Sequence, residues 1–359
     1  MLKKLFILLG LISSAHTMAE DITTYTPGAD EGIVYFLPKT AIEVSLIVTR
    51  TEYKPGAFYQ FANRYLRLDD VKSKAYTSWS LKAIETRPIG IVDSTKAYIM
   101  KLKDRNPLSN IELTEDGIIR AINAQPTKME QEKVHHLTKP ESHENGRNYL
   151  TEEILLAGST AKMAELTAKE IYNIRESKNL IMRGQADAMP KDGASLKIVL
   201  DGLSKQEKAL TELFAGIVDH EDMVVKAIVI PDENPEKKVA MRFSNQLGVL
   251  DKDDLAGKPI YVSTQSFTPI APAEEEGTKE EEVKEKKEKL GGVIYNVPGK
   301  GKVTVSYEGK NLIEQEYPIT QYGYTETLTY KLFSKKNNVS VVFNPATGAL
   351  ISIDSGSRE

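Results

Sequence analysis

The sequence predicts an α+β fold: two antiparallel β-rich parts with a central antiparallel helical hairpin. Three observations predict it. Apolar residues alternate with polar ones near both ends of the chain. Apolar residues at helical spacing are concentrated between residues 149 and 216. Turn residues of hairpin type separate neighbouring strand candidates, which favours antiparallel pairing. The chain has 359 residues, 40% of them apolar and 27% charged. That composition is ordinary for globular proteins, and the length allows two or three domains at roughly 150 residues each.

Residues 1–19, MLKKLFILLGLISSAHTMA, carry a positive start at Lys3-Lys4 and an apolar run from Leu5 to Ile12. Small residues follow at Thr17-Met-Ala19, with Ser13-Ser-Ala15 as a competing cut site. This is the pattern of a cleaved secretory signal, and the run is too short to span a bilayer of about 30 Å. The competing reading is a buried first helix. No cysteine follows the run, which closes the lipoprotein route. The expectation is an exported protein of the periplasm or cell surface, not integral to the membrane.

Residues 21–125 form the N-terminal β-rich part. Ile42, Val44, Leu46 and Val48 alternate with Glu43, Ser45, Ile47 and Thr49, a strand with one apolar face. Pro55-Gly56 ends it, and Phe58, Phe61, Ala62, Tyr65 and Leu66 then recur at helical spacing. Tyr76 to Thr86, Thr95 to Leu102 and Ile111 to Ala121 follow as strands, the last folded at Thr114-Glu-Asp-Gly117. Residues 126–148 are polar and nearly free of large apolar side chains, which predicts an exposed connection.

The helical hairpin occupies 149–216. Ala164, Ile171, Ile174 and Ile181 mark one stripe; Leu196, Val199, Leu200, Leu203, Leu210, Leu213 and Phe214 mark a second. Ser204-Lys-Gln-Glu207 has the form of a capping box that would restart the second helix after Gly202, and Gly216 supplies a stop.

Strands resume in 217–268, at Met223 to Ile230, Val239 to Phe243 and Pro259 to Phe267. A linker at 269–290 contains AEEEGTKEEEVKEKKEKL, with eight Glu and five Lys, too few apolar residues for a core. The C-terminal β-rich part, 291–359, holds six strand candidates between Val293 and Ile353. It also repeats an earlier phrase: Gly292-Val-Ile-Tyr-Asn-Val-Pro298 echoes Gly32-Ile-Val-Tyr-Phe-Leu-Pro38, and Gln321-Tyr322 echoes Gln60-Phe61. A decayed duplication and coincidence both explain it.

Chemistry is constrained by what is scarce. With no cysteine, thiol nucleophiles, disulfides and thiolate metal sites are excluded. Of five histidines, His16 leaves with the signal; His135, His136 and His143 sit in the polar connection, and His220-Glu221-Asp222 reads as a turn. A mobile loop lacks the packed surroundings that fix metal ligands, so neither metal nor cofactor is expected. Gly299-Lys-Gly301-Lys-Val303 places valine where a phosphate-binding loop needs Ser or Thr. The formal charge of −4 gives no nucleic-acid footprint. Asp69-Asp70, Asp116, Asp219 and Asp354 sit at predicted element ends as turn or cap residues. Two such carboxylates could serve a glycosidase only across a cleft, about 5–9.5 Å apart. Trp79, the single tryptophan, and Tyr317, Tyr322 and Tyr324 (with Tyr330 nearby) are the candidate binding residues, since aromatic faces stack on sugar rings. Packing in a strand core is the competing reading.

Several phrases taken together resemble a known family. They are YFLPKTAIEVSLIVTRTEYKPGAFYQFANRYLRL from Tyr35, YLTEEILLAGSTAKMAELTAKEIYNIR from Tyr149, DGLSKQEKALTELFAG from Asp201, VIYNVPGKGKVTV from Val293 and VVFNPATGALISI from Val341. The chain is similar to an uncharacterised family of exported proteins from Bacteroides-type bacteria, a domain of unknown function. The resemblance implies export and a mixed β and helical fold, with no catalytic residues to carry over. The Glu/Lys tract looks like an insertion relative to it. The expected function is a noncatalytic envelope or surface protein that binds a glycan or envelope partner, or has a structural role. The alternative is a carboxylate-based hydrolase of polysaccharide or peptidoglycan.

Overall fold

The computed structural model describes residues 32–100, 110–126, 135–188, 192–232, 236–267, 292–333 and 339–355. The N-terminal signal pattern and the Glu/Lys tract lie outside these residues. β1 (Ile33–Lys54) leads through a 3-10 turn at Tyr59–Phe61 and α1 (Ala62–Leu66) to β2 (Tyr76–Met100). A small hairpin follows, β3 (Ile111–Leu113) and β4 (Ile119–Ile122). Then come α2 (Glu152–Leu155), α3 (Thr160–Met182) and α4 (Gly193–Ala215). The remaining strands are β5 (Ile217–Val229), β6 (Lys238–Ser244), β7 (Gly248–Leu250), β8 (Lys258–Ser266), β9 (Gly292–Tyr307), β10 (Lys310–Thr329), β11 (Val339–Phe343) and β12 (Leu350–Ser355). They form three antiparallel sheets with the orders β2-β1-β5, β10-β9-β8-β6-β7 and β12-β11-β4-β3. The chain is therefore β-rich with four α-helices among the described residues.

Several predicted elements merge. The strands expected at Tyr76 to Thr86 and from Thr95 onward are one strand, β2, which runs through Pro88. Among the described residues only β1 pairs with β2, so the missing amide of Pro88 removes no ladder bond from a second neighbour. β9 likewise runs through Pro298. In the opposite direction, the first predicted helix is split at Gly158-Ser159, where Ser159 Oγ accepts from the Lys162 amide and opens α3. The second helix begins at Asp192, whose side chain accepts from the Ser195 amide, and continues through Gly202. The capping-box pattern at Ser204 is therefore unused. Gly216, at φ 82°, ends α4 as predicted.

Two cores hold the sheets. β1 presents Ile42, Val44, Leu46 and Val48 to Met241, Phe243, Ile260, Val262, Val303, Val305 and Ile319 of the five-stranded sheet. Each such aliphatic side chain, fully buried, stabilises by about 1.5–3 kcal/mol before entropy is counted. At the other end of β1, Tyr35 and Leu37 pack with Ile119, Ile122, Val293, Val341 and Phe343. A third core belongs to the helices: Phe58, Ala164, Ala168, Ile171, Ile174, Leu210 and Phe214.

The echoed phrases begin equivalent strands. Phe36 donates its amide to Gly117 O (2.9 Å), and Asn296 donates its amide to Gly348 O (3.1 Å). Each glycine closes a short hairpin at positive φ, 83° and 66°, a conformation only glycine takes without strain. Each long hairpin also carries the same irregularity close by. Residues 93–96 of β2 stand opposite Leu37 alone, and residues 320–323 of β10 stand opposite Pro298 alone. The echo thus marks one structural device used twice. Its proposed extension fails, because Gln60-Phe61 lies in the 3-10 turn whereas Gln321-Tyr322 lies in the β10 bulge.

The second bulge depends on close backbone approach. A Cβ on Gly323 would sit 1.9 Å from Val297 O and 2.7 Å from Gly299 N. Gly323→Ala is therefore expected to cost about 1–3 kcal/mol, measured by urea unfolding. Gly158→Ala, with open space around the added methyl, should stay within about 0.5 kcal/mol of wild type.

Candidate functional site

The densest cluster of ionisable side chains lies where β5 leaves α4. Because Gly216 turns the chain directly from helix to strand, residues 219–222 belong to β5. The predicted turn at His220-Glu221-Asp222 is thereby corrected. β1 pairs with one edge of β5, and Thr138 meets the other. Asp222 donates its amide to Thr138 O (2.8 Å), and its Oδ2 accepts from the Thr138 amide (3.1 Å). The same carboxylate accepts from Thr49 Oγ1 and Lys82 Nζ, both at 2.6 Å. Its side chain is 1% exposed. The Lys82 ammonium, followed by the Thr49 hydroxyl and the Thr138 amide, holds its pKa well below the usual carboxylate range.

His143 stands beside this anchor. Its Nδ1 lies 2.8 Å from Glu212 Oε1 on α4, and its Nε2 lies 2.9 Å from Asp219 Oδ1 on β5. Desolvation lowers its pKa, but the two carboxylates together outweigh it, and the net shift is upward. Lys208 of α4 pairs with Glu141. His220 Nδ1 is 3.0 Å from Thr51 Oγ1, and His135 Nε2 is 3.7 Å from Glu85. The described part of the polar connection, residues 135–148, is mostly exposed. It is nevertheless fastened at His143 and His135, two of the three histidines expected on a mobile loop.

This chemistry is neutralising. Further along β1, Glu43 accepts from Arg87 (2.7 and 3.2 Å) and faces Lys226 at 3.5 Å. On the helices Glu207 accepts from Arg175 and Lys178. Among the described residues no group of three or more His, Asp or Glu has an arrangement that could hold a metal ion. A cleft of about 310 Å³ opens beside the helices, lined by Phe58, Arg147, Leu150, Leu155, Met163 and Leu213 with Ala57 and Thr160. Among the described residues no carboxylate lines it.

The four aromatic candidates divide. Trp79 packs its ring against Gly248, where a Cβ would lie 2.8 Å from the indole. Tyr317 is buried, donating to Thr86 O at 2.8 Å. Tyr322 donates to Asp232 O (2.9 Å) and lies 2.8 Å from Thr264 Oγ1. These three border the core between the large sheets, and burial pushes both phenol pKa values up. Tyr324, 62% exposed, stands apart on β10. Tyr330 packs against the other sheet core. Of the aspartates singled out in the sequence, Asp219 alone joins the His143 cluster. Glu212 and Lys82 were missed, and Asp222 was read only as part of a turn. Extending the strand period back from Met223 would have placed Asp222 in line with Val224 and Lys226.

A family described as Domain of unknown function (DUF4831) matches residues 31–351. The chain belongs to this family. No curated protein and no solved structure matches it. The DUF4831 match covers the helices and every strand except the end of β12, so the His143 and Asp222 clusters fall within the family region. Among the described residues of this DUF4831 chain, no helix is long and apolar enough to cross a membrane.

Proposed function

We propose that this is an exported, noncatalytic protein of the cell envelope or surface that binds a glycan or protein partner or has a structural role. Export rests on the N-terminal pattern of Lys3-Lys4, the Leu5–Ile12 run and Thr17-Met-Ala19. The noncatalytic reading rests on charge pairing. Asp222, Glu43, Glu207, Glu212 and Asp219 each have a cationic or imidazole partner within 3.5 Å, and among the described residues the cleft beside the helices carries an arginine but no carboxylate. A general acid needs a carboxyl with a raised pKa beside a reacting bond, and the contacts at Asp222 and Glu207 favour the ionised form instead. We also infer that α3 and α4 form the central antiparallel hairpin. Glu207 meets Arg175 and Lys178, while Leu210 and Phe214 share a core with Ala164 and Ile171, so contacts run in opposite directions along the two helices.

Two measurements test the function. A reporter fused to residues 1–25 is expected outside the cytoplasm, and retention inside would refute export. The mature protein is expected to bind without cleaving when a glycan array is paired with a hydrolysis screen. Hydrolysis that a single Asp or Glu substitution abolishes would establish the hydrolase instead.

A further inference from the structure

The two nitrogens of His143 face two different carboxylates at 2.8 and 2.9 Å. A neutral imidazole has one N–H, so it can donate to only one of them; the other nitrogen then turns its lone pair toward a carboxylate oxygen. Both contacts are attractive together only when the ring carries two protons. The pair is also placed to matter mechanically. Glu212 belongs to α4, Asp219 to β5, and His143 to the segment that meets β5 at Thr138. We propose that residues 135–148 form a proton-operated strap, fastened tightly against α4 and β5 when His143 is protonated and loosened when the ring becomes neutral.

The surrounding charges set the direction. On the strap itself stand Glu141 and Glu144; on α4, Lys208 and Glu212; on β5, Asp219, His220 and Glu221; on β1, Arg50 and Glu52, the latter opposite Asp219 in the register. Lys208 is paired with Glu141, Arg50 with Glu52 and Glu221, and Glu144 accepts from Tyr149. His143 is therefore the cation that faces Glu212 and Asp219 from the strap. The imidazole pKa is raised above its ordinary 6.5 in the fastened state. A raised pKa gives attachment that is complete below 6.5 and is lost as pH climbs through the higher, fastened-state value. The anchor at Asp222 has the opposite sense. Its carboxylate is held ionised, so it weakens only in acid. Below neutrality the strap is thus held at Asp222, at the Lys208–Glu141 pair and at His143, and above it the His143 fastening is lost.

The amide of Asp222 reports the strap, because it donates to Thr138 O rather than to β1. Its hydrogen exchange, corrected for the intrinsic rate, should show an opening constant that rises with pH above 6.5. The rise should be tenfold for each unit by which the His143 pKa, measured on the ring by NMR, exceeds 6.5. In His143→Gln the opening constant should be high and flat with pH. A wild-type opening constant independent of pH, a ring that titrates at or below 6.5, or a His143→Gln protein that keeps the wild-type pH dependence would each overturn the proposal. The ring titration is made on wild type and stands even if the variant folds poorly.

Discussion

Phe214→Ala should lower the unfolding free energy by about 3–5 kcal/mol, the largest single loss expected in this protein. Phe214 is fully buried near the C-terminal end of α4. Its ring packs on Phe58 with centroids 5.3 Å apart, and it shares a core with Ala164, Ala168, Ile171 and Leu210. The small residues of α3 leave little that could move in to fill the space. Phe58 comes from the link between β1 and β2, so this core also fastens the helices to the sheet. Its amide donates to Leu213 O at 2.7 Å, and a Cβ on Gly56 would meet the same oxygen at 2.2 Å. Denaturant unfolding monitored by circular dichroism measures the loss. A change below about 1 kcal/mol would mean that the cavity collapses, contrary to the rigid packing described.

Asp222→Ala should cost about 2–3 kcal/mol near neutral pH, because it strands the Thr49 hydroxyl and the Thr138 amide beside an unpaired Lys82. The pH dependence gives this prediction its signature. The folded-state pKa lies below the ordinary 3.8. The contribution is therefore fully present above 3.8 and is lost as pH falls toward the folded value. Thermal melts of the two proteins should differ most near neutrality and converge below pH 3.8. A gap that stays constant into acid would show that the side chain acts by shape and not by charge.

Where the sequence could be read, one periodicity had one explanation. Ile42, Val44, Leu46 and Val48 predict a strand with an apolar face, and those residues form the β1 contribution to the main core. The Thr114–Gly117 turn predicts its hairpin for the same reason: few residues satisfy a positive φ. Reading failed where tertiary context overrules a local signal. Pro88 and Pro298 are breakers in isolation, but they are accommodated in β2 and β9. Ser204 to Glu207 would cap an isolated helix; within α4, Glu207 is taken by Arg175 and Lys178 of the neighbouring helix. The candidate site was hidden for a further reason. Asp-His-Glu-Asp at 219–222 is turn-like by composition, and its strand character comes from pairing with β1 across a separation of 169 residues, as in Thr51 with His220. Tyrosines 317 and 322 were visible as strand residues, but composition does not reveal which phenol finds a buried acceptor.

The central position of β1 fixes an order of assembly. Its backbone is bonded to β2 on one side and to β5 on the other. Thr40 exchanges hydrogen bonds with Thr320, 280 residues away, and the Tyr35 hydroxyl meets Ile294 across 259. A chain emerging N-terminus first, from a ribosome or from a membrane pore, therefore delivers its most buried strand long before the partners that bury it. β1 and β2 can close early as a hairpin, but the Ile42–Val48 face stays wet until β8 to β10 arrive. Such distant closures slow folding. During that wait the valines, isoleucine and leucine of that β1 face are uncovered apolar surface, the kind through which partly folded chains aggregate.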